Sequence, residues 1–256
     1  MKKATTSATI TDFINRFIGE PVQDKKARFE RENVMGLFNS YLANYGEIAS
    51  NVEKDPLIVT APISELGPAH IRLFLSWFVI QKVMDRDKSR YGPVLREFVD
   101  WLKLKGALSE KAYRPLAEAL AELKGEPERC EELGRLLYEF TQRDMPTYQD
   151  WQRDPKVYAR KTAVVRALHH KKPKEILDGY FTVARIGPAA LWLTPIDPDS
   201  DDGEPTPMKG FSSGIGPVQV PAQAAKLARV GDGFSAAIGD MGGFWKLFEV
   251  GGIHPA

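Results

Sequence analysis

One cysteine, Cys130, stands among 256 residues, so no internal disulfide framework can form, and a chain this poor in cysteine suits a reducing compartment. Histidine is nearly as scarce, with four copies. His169 and His170 are adjacent and would point about 100° apart on a helix, so they make no two-histidine metal face, while His70 and His254 have no sequence partner. Long apolar runs are also missing. Ile71 to Val83 comes nearest, but Arg72, Ser76, Gln81 and Lys82 interrupt it, and a membrane span needs about 20 apolar residues. Met1 to Thr11 has lysines followed by small polar residues, without the apolar stretch of a secretory signal. No glycine-rich phosphate loop sits between a strand and a helix. The expectation is a soluble, cytoplasmic protein with no membrane partner, no metal, no cofactor and no catalytic constellation.

What is present is ordinary globular material, 43% hydrophobic and 27% charged, enough to bury a core. The net charge of +1 conceals a division. Residues 1–150 carry 22 basic and 23 acidic groups (−1), 151–177 carry 8 and 2 (+6), and 178–256 carry 5 and 9 (−4). The positive charge is concentrated in one short stretch.

The first 175 residues read as helices. Residues 11–19 form a short one ending at Gly19, and a longer one over 22–45 carries Val34, Leu37, Phe38, Tyr41, Leu42 and Tyr45 at helical spacing. Pro68 suits the first turn of a helix to Met84 that is apolar almost all round and therefore central. An amphipathic helix over 91–105 stops at Gly106, and shorter helices are expected over 115–124 and 127–142. Cys130 would lie on the inner face of the last, beside Leu133 and Leu137, as a buried structural thiol. Asp154-Pro155 caps a further helix over 155–170, with Val157, Val164, Val165 and Leu168 buried.

At Asp178 the texture changes to glycine, proline and alternating apolar residues. Strands are expected over 179–186, 190–196, 215–220, 233–239 and 244–250, with a short helix in Ala222 to Ala228. The fold class is α+β: a helical region over 1–175, then a small β-barrel over 178–256. The order β-β-β-α-β-β is that of an OB-fold; an SH3-like barrel also fits the short strands. Trp192, Phe211, Trp245 and Phe248 supply either the barrel's core or rings that stack bases on its surface.

Residues 57–110 resemble the helical, SAM-like core-binding domain of phage integrases and tyrosine recombinases. The shared rhythm is a helix with Phe74, Leu75 and Trp77, a charged turn, and a helix with Leu95, Arg96, Phe98, Trp101 and Leu102 closed by Gly106. The resemblance implies DNA contact. The catalytic domain that follows in that family is missing, because no His-x-x-Arg motif occurs after residue 110, so strand cleavage is not expected.

The basic stretch 151–174 is the main candidate for contact with nucleic acid, because phosphates need mobile cations and no particular sequence. Arg153, Lys156 and Arg160 share a helical face, Lys171, Lys172 and Lys174 extend the charge, and Arg90 and Arg96 add cations from the integrase-like segment. The plainer reading is a solvated connector. Asp197, Asp199, Asp201, Asp202 and Glu204 cluster as in a calcium loop. However, Asp202 occupies the sixth position, where glycine is needed, and Met208 the twelfth, so a solvated hairpin loop is expected. Two functions follow as expectations: a non-enzymatic protein that binds DNA or RNA through phosphates, or a regulatory module whose barrel docks a protein partner.

Overall fold

The computed structural model describes residues 8–49, 58–85, 87–143, 145–146, 148–170, 173–197, 206–207 and 214–256. The chain is a mixture of helix and strand, with the helices first and the sheet at the end. It divides into two compact units, residues 1–128 and 129–256.

In the first unit, α1 (Ile10–Gly19) starts at a capping box. The Asp12 amide donates to the Thr9 hydroxyl, and the Thr9 amide donates to the Asp12 carboxylate at 2.8 Å. The helix buries Ile10, Ile14 and Phe17. α2 (Lys25–Ala49) buries Val34, Phe38, Tyr41 and Leu42 of the expected face, with Met35 added and Leu37 and Tyr45 half-buried. α3 (Pro68–Leu73) begins with Pro68 in its first turn, continues as a π-helical turn, Phe74–Phe78, and ends in α4 (Val79–Lys82). In the π turn the Val79 amide donates to the Phe74 carbonyl, five residues back. α5 (Tyr91–Leu104) ends before Gly106, whose φ of +70° only glycine adopts without strain.

α6 (Glu110–Glu122) is longer than the stretch expected from Pro115. Ser109 caps it by accepting the Ala112 amide, and Pro115 sits inside the helix. Ring-to-ring packing holds these helices together. Phe38 and Phe74 have centroids 5.0 Å apart, Tyr41 and Phe78 5.4 Å, and Phe17 and Phe98 5.3 Å.

The second unit takes up most of α7 (Glu126–Gln142), then α8 (Tyr148–Arg153) and α9 (Pro155–His170), and after them the strands. The composition change at Asp178 therefore lies inside this unit. α7 packs where its side chains are smallest: a Cβ placed on Gly134 would stand 3.5 Å from Ile253. Cys130, Leu133 and Leu137 are buried on its inner face. The Arg129 guanidinium donates to both carboxylate oxygens of Asp232 at 2.7 Å, and that carboxylate also accepts the Arg229 amide at 2.8 Å. Asp232 is fully buried, so this fork holds an ion that could not otherwise leave water.

The strands are β1 (Ile176–Gly187), β2 (Ala190–Asp197), β3 (Thr206–Pro207), β4 (Ile215–Gln219), β5 (Gly233–Asp240) and β6 (Trp245–His254), with α10 (Ala222–Leu227) between β4 and β5. Pairing runs β1–β5–β6–β4–β2, and β2 pairs again with β1. Every contact is antiparallel except β4 with β6. Phe181, Val183, Leu191, Leu193, Val218, Phe234, Ile238, Leu247 and Ile253 form the buried face.

One expectation fails in α9. Val164 is exposed and Val157 only half-buried, because the helix packs mainly on α8, with Lys161 paired to Asp150 at 2.8 Å. The side chains of Val165 and Leu168 lie outside the described residues.

Candidate nucleic-acid interface

Alternation along β1 puts Phe181 and Val183 on the buried side. Continued without interruption, it would also send the side chain of residue 185 inward. The β1–β2 register shifts between Val183 and Arg185, leaving Ala184 as an extra residue. This bulge returns Arg185 to the outer face, directly opposite Trp192. On β2, Trp192 lies between the buried Leu191 and Leu193, so its indole is on the outer side as well.

The pair is stacked. The Arg185 guanidinium carbon lies 3.6 Å from the centre of the Trp192 ring. The indole rests on backbone stripped of side chains. A Cβ on Gly216 would come within 2.6 Å of it and one on Gly187 within 3.0 Å, so both positions must be glycine for the ring to lie flat. Gly214, with a φ of +73°, has its Cβ position 3.5 Å from the Cβ of Trp192. Across the same outer surface, Gln219 pairs with Ala190 on one side and Lys246 on the other. Lys246 holds its ammonium 5.4 Å from the Phe248 ring centre. Neither Arg185 nor Lys246 has an ion-pair partner among the described residues. Rings and free cations of this kind can stack a base and attract its phosphate.

The residues singled out from sequence are placed as follows. Arg153, Lys156 and Arg160 are exposed on α8 and α9, and no ion pair engages them among the described residues. Lys174 is tied down through its backbone, its amide donating to the Asp240 carbonyl at 2.9 Å. Pro173 beside it fills the space over Gly239 together with Phe248. Lys171 and Lys172 lie outside the described residues, as do Phe211 and the acidic cluster from Asp199 to Glu204.

Arg90 and Arg96 belong to the first unit and are already occupied. Arg90 pairs with Asp85 and donates to Asn33. Arg96 pairs with Asp100 at 3.0 Å and donates to Tyr113. Their neighbours behave alike: Arg72 pairs with Glu122, Lys103 with Glu110 and Lys105 with Glu20, and the buried Lys88 donates to the Val83 carbonyl at 2.6 Å. Residues 72–105 carry eight basic and four acidic groups, and most of that excess is paired within the unit.

Arg185 was not legible as a site residue. Its position depends on a bulge, which only the pairing partner reveals. A weaker signal was available in the glycines at 187, 214 and 216, which surround a single tryptophan. Compared with protein-family models, curated proteins and solved structures, the chain matches none. No helix among the described residues is long and apolar enough to cross a membrane.

Proposed function

We propose that this protein is a non-catalytic nucleic-acid-binding protein, and that its second unit is a small OB-type barrel presenting Trp192 and Arg185 to unpaired bases. The stacked pair on the outer face carries this reading. A tryptophan directed away from the core, seated on glycine backbone and covered by an unpaired guanidinium, holds a ring and a cation together on the outer face. The strand order supports the barrel, since β1 pairs with both β2 and β5, β4 runs parallel to β6, and a helix joins β4 to β5. The exposed cations Arg153, Lys156 and Arg160 supply further phosphate contacts, with Lys171 and Lys172 continuing the basic stretch in sequence. The integrase-like helices of the first unit act as a scaffold in this reading, their cations being already paired.

A second reading, a barrel that docks a protein partner, draws on the charge of −4 over 178–256, and exposed tryptophan and arginine are also favoured anchors at protein interfaces. Anisotropy titration of the full chain against single-stranded DNA and RNA at low salt separates the two. Trp192→Ala is expected to weaken binding by roughly 5- to 150-fold, the loss of about 1–3 kcal/mol of stacking. An absence of binding to either single strand or to duplex at tens of micromolar would leave the docking reading in its place.

A further inference from the structure

The first unit has a feature that nucleic-acid binding does not use. Tyr41, Tyr45, Leu73 and Trp77 line a cleft of about 180 Å³ at the edge of the aromatic core. A dry apolar cavity of about 150 Å³ takes one benzene ring, so the space suits a single six-membered ring. The walls are almost wholly apolar and aromatic, as ligand clefts are, and a few polar groups stand at them.

One such group is within reach. Tyr41 is fully buried, its hydroxyl included, so it contributes a closed wall to the cleft and leaves the polar contact to another side chain. Lys82 holds its ammonium 5.7 Å from the centre of the Trp77 ring, and no carboxylate is paired with it among the described residues. Lys82 is exposed and lies against Trp77, a wall of the cleft, so a carboxylate seated beside that ring can meet it.

The backbone is also unusual here. Trp77 lies within the π-helical turn and Leu73 immediately before it, and π turns recur at functional sites because they re-aim the side chains that follow. Trp77 meets Tyr45 edge to face at 5.2 Å, and the two rings form one wall of the cleft.

We propose that this cleft binds a small aromatic carboxylic acid, with its ring between Leu73 and the Tyr45–Trp77 wall and its carboxylate against Lys82. The site is independent of the nucleic-acid reading and would stand if that reading fell. Benzoate is the probe, with benzyl alcohol as its uncharged counterpart, titrated against the full chain by ligand-observed NMR. Benzoate is expected to bind saturably in the high-micromolar to millimolar range, with Overhauser contacts to the Trp77 indole. Leu73→Trp, which fills the space, should abolish binding of both compounds. Lys82→Gln should weaken benzoate about threefold, as an exposed ion pair allows, and leave benzyl alcohol unchanged. Should Leu73→Trp fail to fold, the Overhauser contacts in the native protein decide. Absence of saturable binding, contacts to other tryptophans only, or binding that survives in folded Leu73→Trp would each overturn the proposal.

Discussion

Residues 1–128 and 129–256 treat the same two resources, rings and cations, in opposite ways. In the helical unit the aromatic side chains face one another: Phe74 alone lies within 6.3 Å of the rings of Phe38, Tyr41, Phe78 and Tyr91. Many of its arginines and lysines, Arg28, Arg72, Arg96 and Lys103 among them, are matched to carboxylates one turn or one helix away, Lys82 being an exception among the described residues. In the second unit Trp192 faces outward, and Arg185, Lys156 and Arg160 have no acidic partner among the described residues. A cation already paired with a carboxylate neutralises little of a phosphate's charge and displaces few of the counterions condensed on the nucleic acid, whereas an unpaired one displaces them in full. The place to look for a polyanion is therefore set by how each charge is occupied, and counting charge along the chain misplaces it.

The largest expected effect tests the buried ion pair of the second unit. Asp232→Ala leaves the Arg129 guanidinium buried without its partner and should destabilise the sheet by about 3–5 kcal/mol. Denaturant unfolding followed separately in each unit should show the helical transition unmoved. Replacing both partners, Arg129→Met with Asp232→Leu, should recover most of the loss, and a double variant as unstable as the single would contradict the ion-pair account. On the other side of the comparison, Phe74→Ala removes the ring at the centre of the aromatic network. It should cost the helical unit about 3–5 kcal/mol while leaving oligonucleotide affinity unchanged in protein that remains folded. A large loss of affinity there would show that the helices share the binding surface.

Smaller effects distinguish paired from unpaired cations. Lys156→Ala with Arg160→Ala should flatten the salt dependence of binding by up to about two contacts, near 0.9 log units each for duplex DNA. Arg90→Ala with Arg96→Ala should not, because those groups are engaged with Asp85 and Asp100. Equal slopes for the two double variants would erase the distinction.

The smallest effect is electrostatic and local. The Thr9 backbone amide, then its hydroxyl, hold the Asp12 carboxyl below the ordinary aspartate range. A carboxyl lowered on folding contributes stability that is present above its unfolded pKa and is lost as pH falls through the folded one. The acid limb of the helical unit's stability curve should therefore be shallower in Asp12→Asn, as circular dichroism across that range would show.

Much of the architecture was legible because local chemistry set it. Pro68, Gly106 and the Asp154-Pro155 step mark helix ends, whereas Pro115 suggests a helix start that Ser109 in fact makes, and β2, β4 and β5 lie within a residue or two of where their alternating patterns put them. Features created by distant partners were not legible. The bulge at Ala184, the fork from Arg129 to Asp232 and the glycine bed beneath Trp192 join residues far apart in the chain, and no periodicity records them. The basic stretch at 151–174 was visible as charge, but its α9 was assigned a buried face that Val164 does not have. Helical spacing alone does not say what, if anything, covers an apolar side chain.

The circular pairing of β1, β5, β6, β4 and β2 has a consequence for how this chain behaves in company. Each of these five strands has a neighbour on both sides over part of its length, but β4 meets β6 only at Val218–Trp245 and Gln219–Lys246, so β6 beyond Lys246 has no β4 partner. An unpaired strand border is where foreign chains add themselves and where fibrils begin. Where the borders are joined to each other the sheet offers no template, which leaves the stretch of β6 after Lys246 as the place where a further strand would have to add. Elsewhere partners must approach the outer surface through side chains.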